Sequence, residues 1–145
     1  TMVDLIRNDL SRVSKNVKVN KYRYYEEIAT QDGNLGQVSS EIVGELEANY
    51  CENIGEIIFD LLPAGSISGA PKQKTVKIIA AAEKEDRGYY TGIAGYYDGQ
   101  NLDSTVLIRY LQNDHNYRSG GGITCNSEAQ NEYQEMIDKV YVPLF

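Results

Sequence analysis

The sequence has no tryptophan, and its 145 residues include only two phenylalanines, two methionines, three prolines and two cysteines. His115 is the one histidine. Cys51 and Cys125 stand far apart, with neither a CxxC pair nor a His-rich neighbourhood, which excludes a disulfide framework and a zinc site of ordinary spacing. No run approaches the roughly 18 apolar residues of a membrane span. Basic residues are scarce: 14 Lys plus Arg face 21 Asp plus Glu, for a net charge of −7. So acidic a chain is poorly equipped to neutralise phosphates, so neither nucleic acid nor an anionic membrane is an expected partner. P-loop, dinucleotide-fingerprint and HExxH motifs do not occur. A Ser–His nucleophile finds little support, because His115 lies in the polar turn Asn113-Asp114-His115-Asn116 and faces water. No charged-then-apolar signal segment opens the sequence, so we expect a cytoplasmic location.

What is abundant is tyrosine. Twelve of them supply most of the aromatic area, each with a hydroxyl that needs a partner or water, which suggests a wet cleft. At 41% hydrophobic and 24% charged the composition is globular. At roughly 100–200 residues per domain, the length fits one domain or a piece of a larger one. The opening Thr1-Met2-Val3-Asp4-Leu5 enters an apolar and acidic pattern without a lead-in, as a longer protein cut at this point would.

Leu5, Ile6 and Leu10 have near-helical spacing, so residues 3–10 read as the end of a helix. A β-rich stretch from Val17 to Ala29 is followed by the turn cluster Gln31 to Gly36. Val38, Ser40, Ile42, Gly44 and Leu46 then share one parity, as in a half-buried strand. Ile54, Ile57, Ile58 and Leu61 mark a helix over Glu52–Leu62. A small-residue loop from Pro63 to Pro71 leads into a helix over Lys72–Glu83 that should bury Val76, Ile79 and Ala80. Tyr89–Tyr97 and Ser104–Leu111 read as strands joined around Asp98-Gly99-Gln100-Asn101, and Tyr117–Thr124 as a third. Ser127 and Gln130 form a capping-box start for a last helix to about Val140.

Four places could carry chemistry. Along one face of the last helix, Glu128, Glu132, Glu135 and Lys139 recur beside an apolar flank of Tyr133, Met136, Ile137 and Val140. An i,i+4 carboxylate pair costs a helix roughly 0.2–0.5 kcal/mol, so Glu128 and Glu132 gain nothing from each other without a nearby cation. One reading is a hard divalent cation, Mg²⁺ above all, which takes one or two carboxylates with waters and an anionic substrate. The other is a solvated face on which Lys139 pairs with Glu135. Gly120, Gly121 and Gly122 interrupt a strand pattern, either to let backbone N–H groups approach a carboxylate or phosphate or to turn a sheet corner. Arg109, in an apolar strand, either snorkels at a sheet edge or forks onto a carboxylate in a cleft. The loop Gly65–Lys72 offers Ser66 and Ser68 beside small residues, or is an ordinary interhelical connection.

Several segments occur together and in order: Val3-Asp4-Leu5-Ile6-Arg7-Asn8-Asp9-Leu10, Gly65-Ser66-Ile67-Ser68-Gly69-Ala70-Pro71-Lys72, Arg87-Gly88-Tyr89-Tyr90 through Gly95-Tyr96, and Glu132-Tyr133-Gln134-Glu135 with Lys139. In these the sequence is similar to the chorismate-utilising enzymes, a family that includes component I of anthranilate synthase and of aminodeoxychorismate (para-aminobenzoate) synthase. The resemblance implies an α+β fold with helices stacked outside two orthogonal antiparallel sheets, in α/β/β/α layers. Residues 1–145 would then be the C-terminal part of a chorismate-binding domain. It further implies a Mg²⁺-dependent exchange on chorismate in which ammonia, from a glutamine amidotransferase partner, replaces the ring hydroxyl.

By the same resemblance, Glu132 and Glu135 correspond to metal carboxylates. Tyr90, Arg109 and the backbone of Gly120, Gly121 and Gly122 correspond to positions that hold the enolpyruvyl carboxylate, and Lys139 to a lysine near the metal and ring carboxylate. Ser66 resembles the aminodeoxychorismate branch, whose role is in folate synthesis, where the anthranilate branch usually has threonine. The upstream motif with that branch's nucleophilic lysine is absent from this sequence. Gln37 stands where many relatives have a catalytic histidine, and glutamine cannot act as a general base at neutral pH. The family carries further metal-binding glutamates just before the segment matching Met2-Val3-Asp4-Leu5, so the chain is expected to hold part of the cation site and to be inactive by itself. The alternatives are anthranilate synthase component I and a non-catalytic fragment that folds by dimerising.

Overall fold

The computed structural model describes residues 2–30, 33–113 and 115–140. The chain divides into two compact units, Thr1–Asp86 with Tyr97–Leu102 and Arg87–Tyr96 with Asp103–Phe145. Helices and two-stranded pairings make up both, so the class is α+β as expected. Among the described residues no helix is long and apolar enough to cross a membrane.

The first unit is organised around α1 (Met2–Leu10), which touches both strands of a long antiparallel hairpin, β1 (Lys15–Thr30) and β2 (Gly33–Glu45), and also α2 (Ile54–Leu61) and α3 (Gly65–Ser68). The parity of β2 places Val38, Ser40 and Ile42 opposite Met2, Val3 and Ile6 of α1, lining an open cleft of about 470 Å³. On the other parity Glu41 and Glu45 accept hydrogen bonds from Asn20 and Asn16. Three register shifts between Lys15 and Tyr24 interrupt the ladder, and Asn16 and Arg23 take φ of 53° and 50° there, a left-handed backbone that one class of bulge uses. Pairing reaches Thr30 and Gly33. The expected turn cluster therefore yields Gly33 to Gly36 to the strand, while Gln31 and Asp32 lie outside the described residues.

In α2 the apolar spacing holds: Ile54, Ile57, Ile58 and Leu61 are half-buried while Phe59 is exposed. The expected small-residue loop contains the single turn α3, followed by α4 (Lys72–Ala82). Here one expectation fails. Ile79 is half-buried, but Val76 and Ala80 are exposed, because the described neighbour of α4 is the four-residue α3, too short to cover a helix face. The best-covered side chains are instead polar, Asp9 and Ser68.

In the hairpin of β3 (Ile93–Tyr97) and β4 (Leu102–Val106), the four-residue connection is closed by Asp98, whose Oδ1 accepts the N–H groups of Gln100 and Asn101 at 2.8 and 2.6 Å. Backbone bonds from Thr91 to Leu107 and from Leu107 to Gly92 extend the pairing. The expected strand to Leu111 is broken at Arg109, whose φ is 55°. Beyond it, β5 (Tyr110–Leu111) pairs antiparallel with β6 (Tyr117–Arg118). The third expected strand stops there, and the glycine run leaves the ladder. Helix α5 (Ala129–Asp138) closes the second unit.

Candidate functional site

The second unit brings the glycine run against the carboxylate face of α5. Ser119 Oγ donates to Met136 O at 3.2 Å, and Tyr117 donates to Lys139 O at 3.5 Å. A Cβ on Gly121 would lie 3.4 Å from Glu132 Oε2, whereas one on Gly122 would meet open space. The glycine run thus borders the helix at Gly121 and is exposed at Gly122. The better-covered stripe of α5 is Glu132, Met136 and Lys139, all half-buried, while Tyr133, Ile137 and Val140 are exposed. Of the apolar flank, Met136 alone belongs to the covered stripe. Peptide N–H and C=O groups of a backbone without side chains tolerate a neighbouring charge that an apolar wall would reject.

The expected capping box does not form. Ser127 accepts the Thr124 N–H at 3.0 Å and donates to Glu132 Oε1 at 2.5 Å, so its hydroxyl orients a carboxylate instead of ending the helix. Glu135 pairs with Lys139, as the solvated-face reading expects. Among the described residues no three metal-ligating side chains gather. Two carboxylates at i,i+3 form an oxygen-only donor set, which suits a hard cation that keeps most of its waters, in competition with the Lys139 ammonium.

Tyr90 meets the same glycine run. Its hydroxyl occupies the space that a side chain at position 120 would need, and its Cζ is 3.2 Å from where that Cβ would stand. Arg109, on its left-handed backbone, is exposed. The remaining two expected residues belong to the first unit: Ser66 is exposed on α3, and Gln37, exposed on β2 opposite Glu26, donates to Ser39 Oγ at 3.1 Å.

Sequence reasoning missed three features. Ser127 reads as a cap from spacing, and Arg87 and Asp9 stand in motif segments without a role of their own. In the structure Arg87 stacks on Tyr90. Asp9 is 5% exposed and accepts the Gly65 N–H and the Lys72 ammonium, each at 2.6 Å. The available signal for Asp9 was its place in the Asn8-Asp9-Leu10 segment beside a Gly-Ser-Ile-Ser loop ending in Lys72.

A family model described as chorismate binding enzyme matches residues 1–144. An uncharacterized PabA-like protein of Haemophilus influenzae is 55% identical over 147 residues, 99% of this chain and 45% of its own length. Anthranilate synthase component 1 of Aquifex aeolicus is 35% identical, over 95% of this chain and 28% of its own length. Aminodeoxychorismate synthase component 1 of Bacillus subtilis is 34% identical, over 97% and 30%. The chain thus spans less than half the length of these relatives. With a single family model running through 1–144, and relatives of both synthase types aligned along nearly all of it, this chain belongs to the chorismate binding enzyme family.

Proposed function

We propose that the chain is the chorismate-handling part of an aminodeoxychorismate synthase component I, which exchanges the ring hydroxyl of chorismate for ammonia to give 4-amino-4-deoxychorismate for folate synthesis. The observation that carries this reading is the convergence of Tyr90, the bare Gly120–Gly122 backbone and the Glu132 carboxylate within one unit. Hydroxyl and N–H donors favour a carboxylate, whereas the glutamates repel it. An organic dianion therefore suits the hollow we infer here only once a cation offsets the glutamate charge.

Glu132 and Glu135 would hold that cation, Mg²⁺, which when bound supplies Lewis-acid help to the departing hydroxyl. Every other task falls to the chain's own groups. Tyr90 and the N–H groups of Gly120, Gly121 and Gly122 bind the enolpyruvyl carboxylate. Lys139, released from Glu135, turns to the ring carboxylate. Arg109 forks onto substrate, a role its φ of 55° supports, since strained backbone in a non-glycine residue costs of order 1–3 kcal/mol and gathers at functional sites. Gln37, in the first unit, carries an amide and cannot serve as a base. Ammonia comes from a glutamine amidotransferase.

Ser66 and the PabA-type names of the relatives at 55% and 56% identity favour the aminodeoxychorismate branch over the anthranilate one. A protein of its relatives' length carrying this sequence, given chorismate, ammonium and Mg²⁺, should accumulate 4-amino-4-deoxychorismate on chromatography. Accumulation of anthranilate instead overturns the assignment. The 145-residue chain by itself is expected to bind chorismate without turnover.

A further inference from the structure

Tyr90 is fixed at both ends of its side chain. At the hydroxyl end lies Gly120, where the absence of a Cβ makes room. Over the ring lies Arg87, its guanidinium carbon 5.6 Å from the centroid. Arg87 Nη1 also donates to Thr91 Oγ1 at 3.1 Å. Thr91 is anchored in turn, since its N–H donates to Leu107 O at 2.8 Å. The short segment carrying these groups is a tight turn, with Tyr90 N–H bonded to Arg87 O at 2.9 Å and Gly92 N–H to Tyr89 O at 3.0 Å.

We propose that Arg87 is a positioning residue: stacked on Tyr90 and tethered to Thr91, it holds the tyrosine hydroxyl over the side-chain-free backbone at Gly120 and so fixes one end of the hollow. What the hydroxyl binds rests on the reading given under Proposed function; the arrangement itself does not. A phenol held only by its own two torsions sweeps an arc, and a cation over one face confines it. The same cation draws electron density from the ring, which makes the hydroxyl a better donor to an anion. Arg87 has a further interaction of its own, so its substitution is informative through coupling to Tyr90 rather than alone.

The test has an unliganded arm and a liganded arm, both on this chain. Without ligand, Gly120→Ala should lower the melting temperature in the wild type and have little effect in Tyr90→Phe, which lacks the colliding oxygen. The Tyr90 ring resonances should shift in Arg87→Met and return in Arg87→Lys. With chorismate and Mg²⁺, Arg87→Met and Tyr90→Phe should each weaken binding about tenfold, the double variant should be no weaker than either, and Arg87→Lys should recover most of the loss. Additive losses in either cycle, or unmoved Tyr90 resonances, overturn the proposal. Coupled unliganded results with no chorismate binding by the wild type count against the functional reading and leave the positioning role standing.

Discussion

Asp9 shows how one side chain ties the sequence motifs of the first unit together. Its carboxylate is buried, yet each oxygen has a strong donor, the Gly65 N–H on one and Lys72 Nζ on the other, both at 2.6 Å. Gly65 has to be glycine for this approach, because a Cβ there would lie 2.8 Å from Oδ2. The pairing explains why segments 56 and 63 residues apart along the chain occur together, and it sets the turn that carries Ser66. Truncating the acid leaves the ammonium and the N–H unpaired in a poorly hydrated place. Asp9→Ala should therefore cost about 3 kcal/mol in urea unfolding, at the low end of values for broken buried pairs because the Lys72 side chain is 22% exposed. A loss below about 1 kcal/mol, typical of exposed pairs, would contradict this.

Among the elements, helix periods were the most legible feature of the sequence and sheet interruptions the least. Ile54, Ile57, Ile58 and Leu61 gave α2 through spacing alone, whereas the parity of Val38, Ser40 and Ile42 sets them on one wall of the open cleft without burying Val38, which is 61% exposed. Arg109 and the glycine run were read inside strands because flanking Leu107, Ile108 and Ile123 are apolar. Composition carries no sign of the positive φ at Arg109, nor of a ladder that ends at Arg118. For α5, apolar spacing marks the helix but not its covered stripe, which holds Glu132 and Lys139 beside Met136. The Asp-Gly step did locate the β3–β4 connection. Backbone and side-chain N–H groups of Asn101 and the N–H of Gln100 hold the Asp98 carboxyl below the ordinary aspartate range. A depressed carboxyl contributes stability that is present above its unfolded value and lost as pH falls through its folded value. The Gln100 and Asn101 amides should thus keep their protection from exchange at neutral pH and lose it in acid, below about pH 4. Loss of protection already at pH 6 would show that another group closes the turn.

For the whole molecule, the described residues bury no apolar side chain fully, and Phe59, Tyr89, Tyr96 and Ile123 are each at least 75% exposed. Composition had suggested an ordinary globular core, but the number of apolar residues says nothing of which surfaces are available to cover them. A chain that spans 45% or less of these relatives' lengths can share their motifs without having all their packing partners. The candidate site escapes this difficulty in part, because Tyr90, the glycine run and the carboxylate face of α5 all belong to the second unit. The site is most directly tested by calorimetric titration of chorismate, with and without Mg²⁺, into the chain and into Gly121→Val, which sets an apolar group against Glu132 without touching the Tyr90 contact. The expected result is Mg²⁺-dependent binding by the wild type that disappears in the variant at unchanged melting temperature; equal affinity in both proteins would contradict a shared hollow between the glycine run and α5.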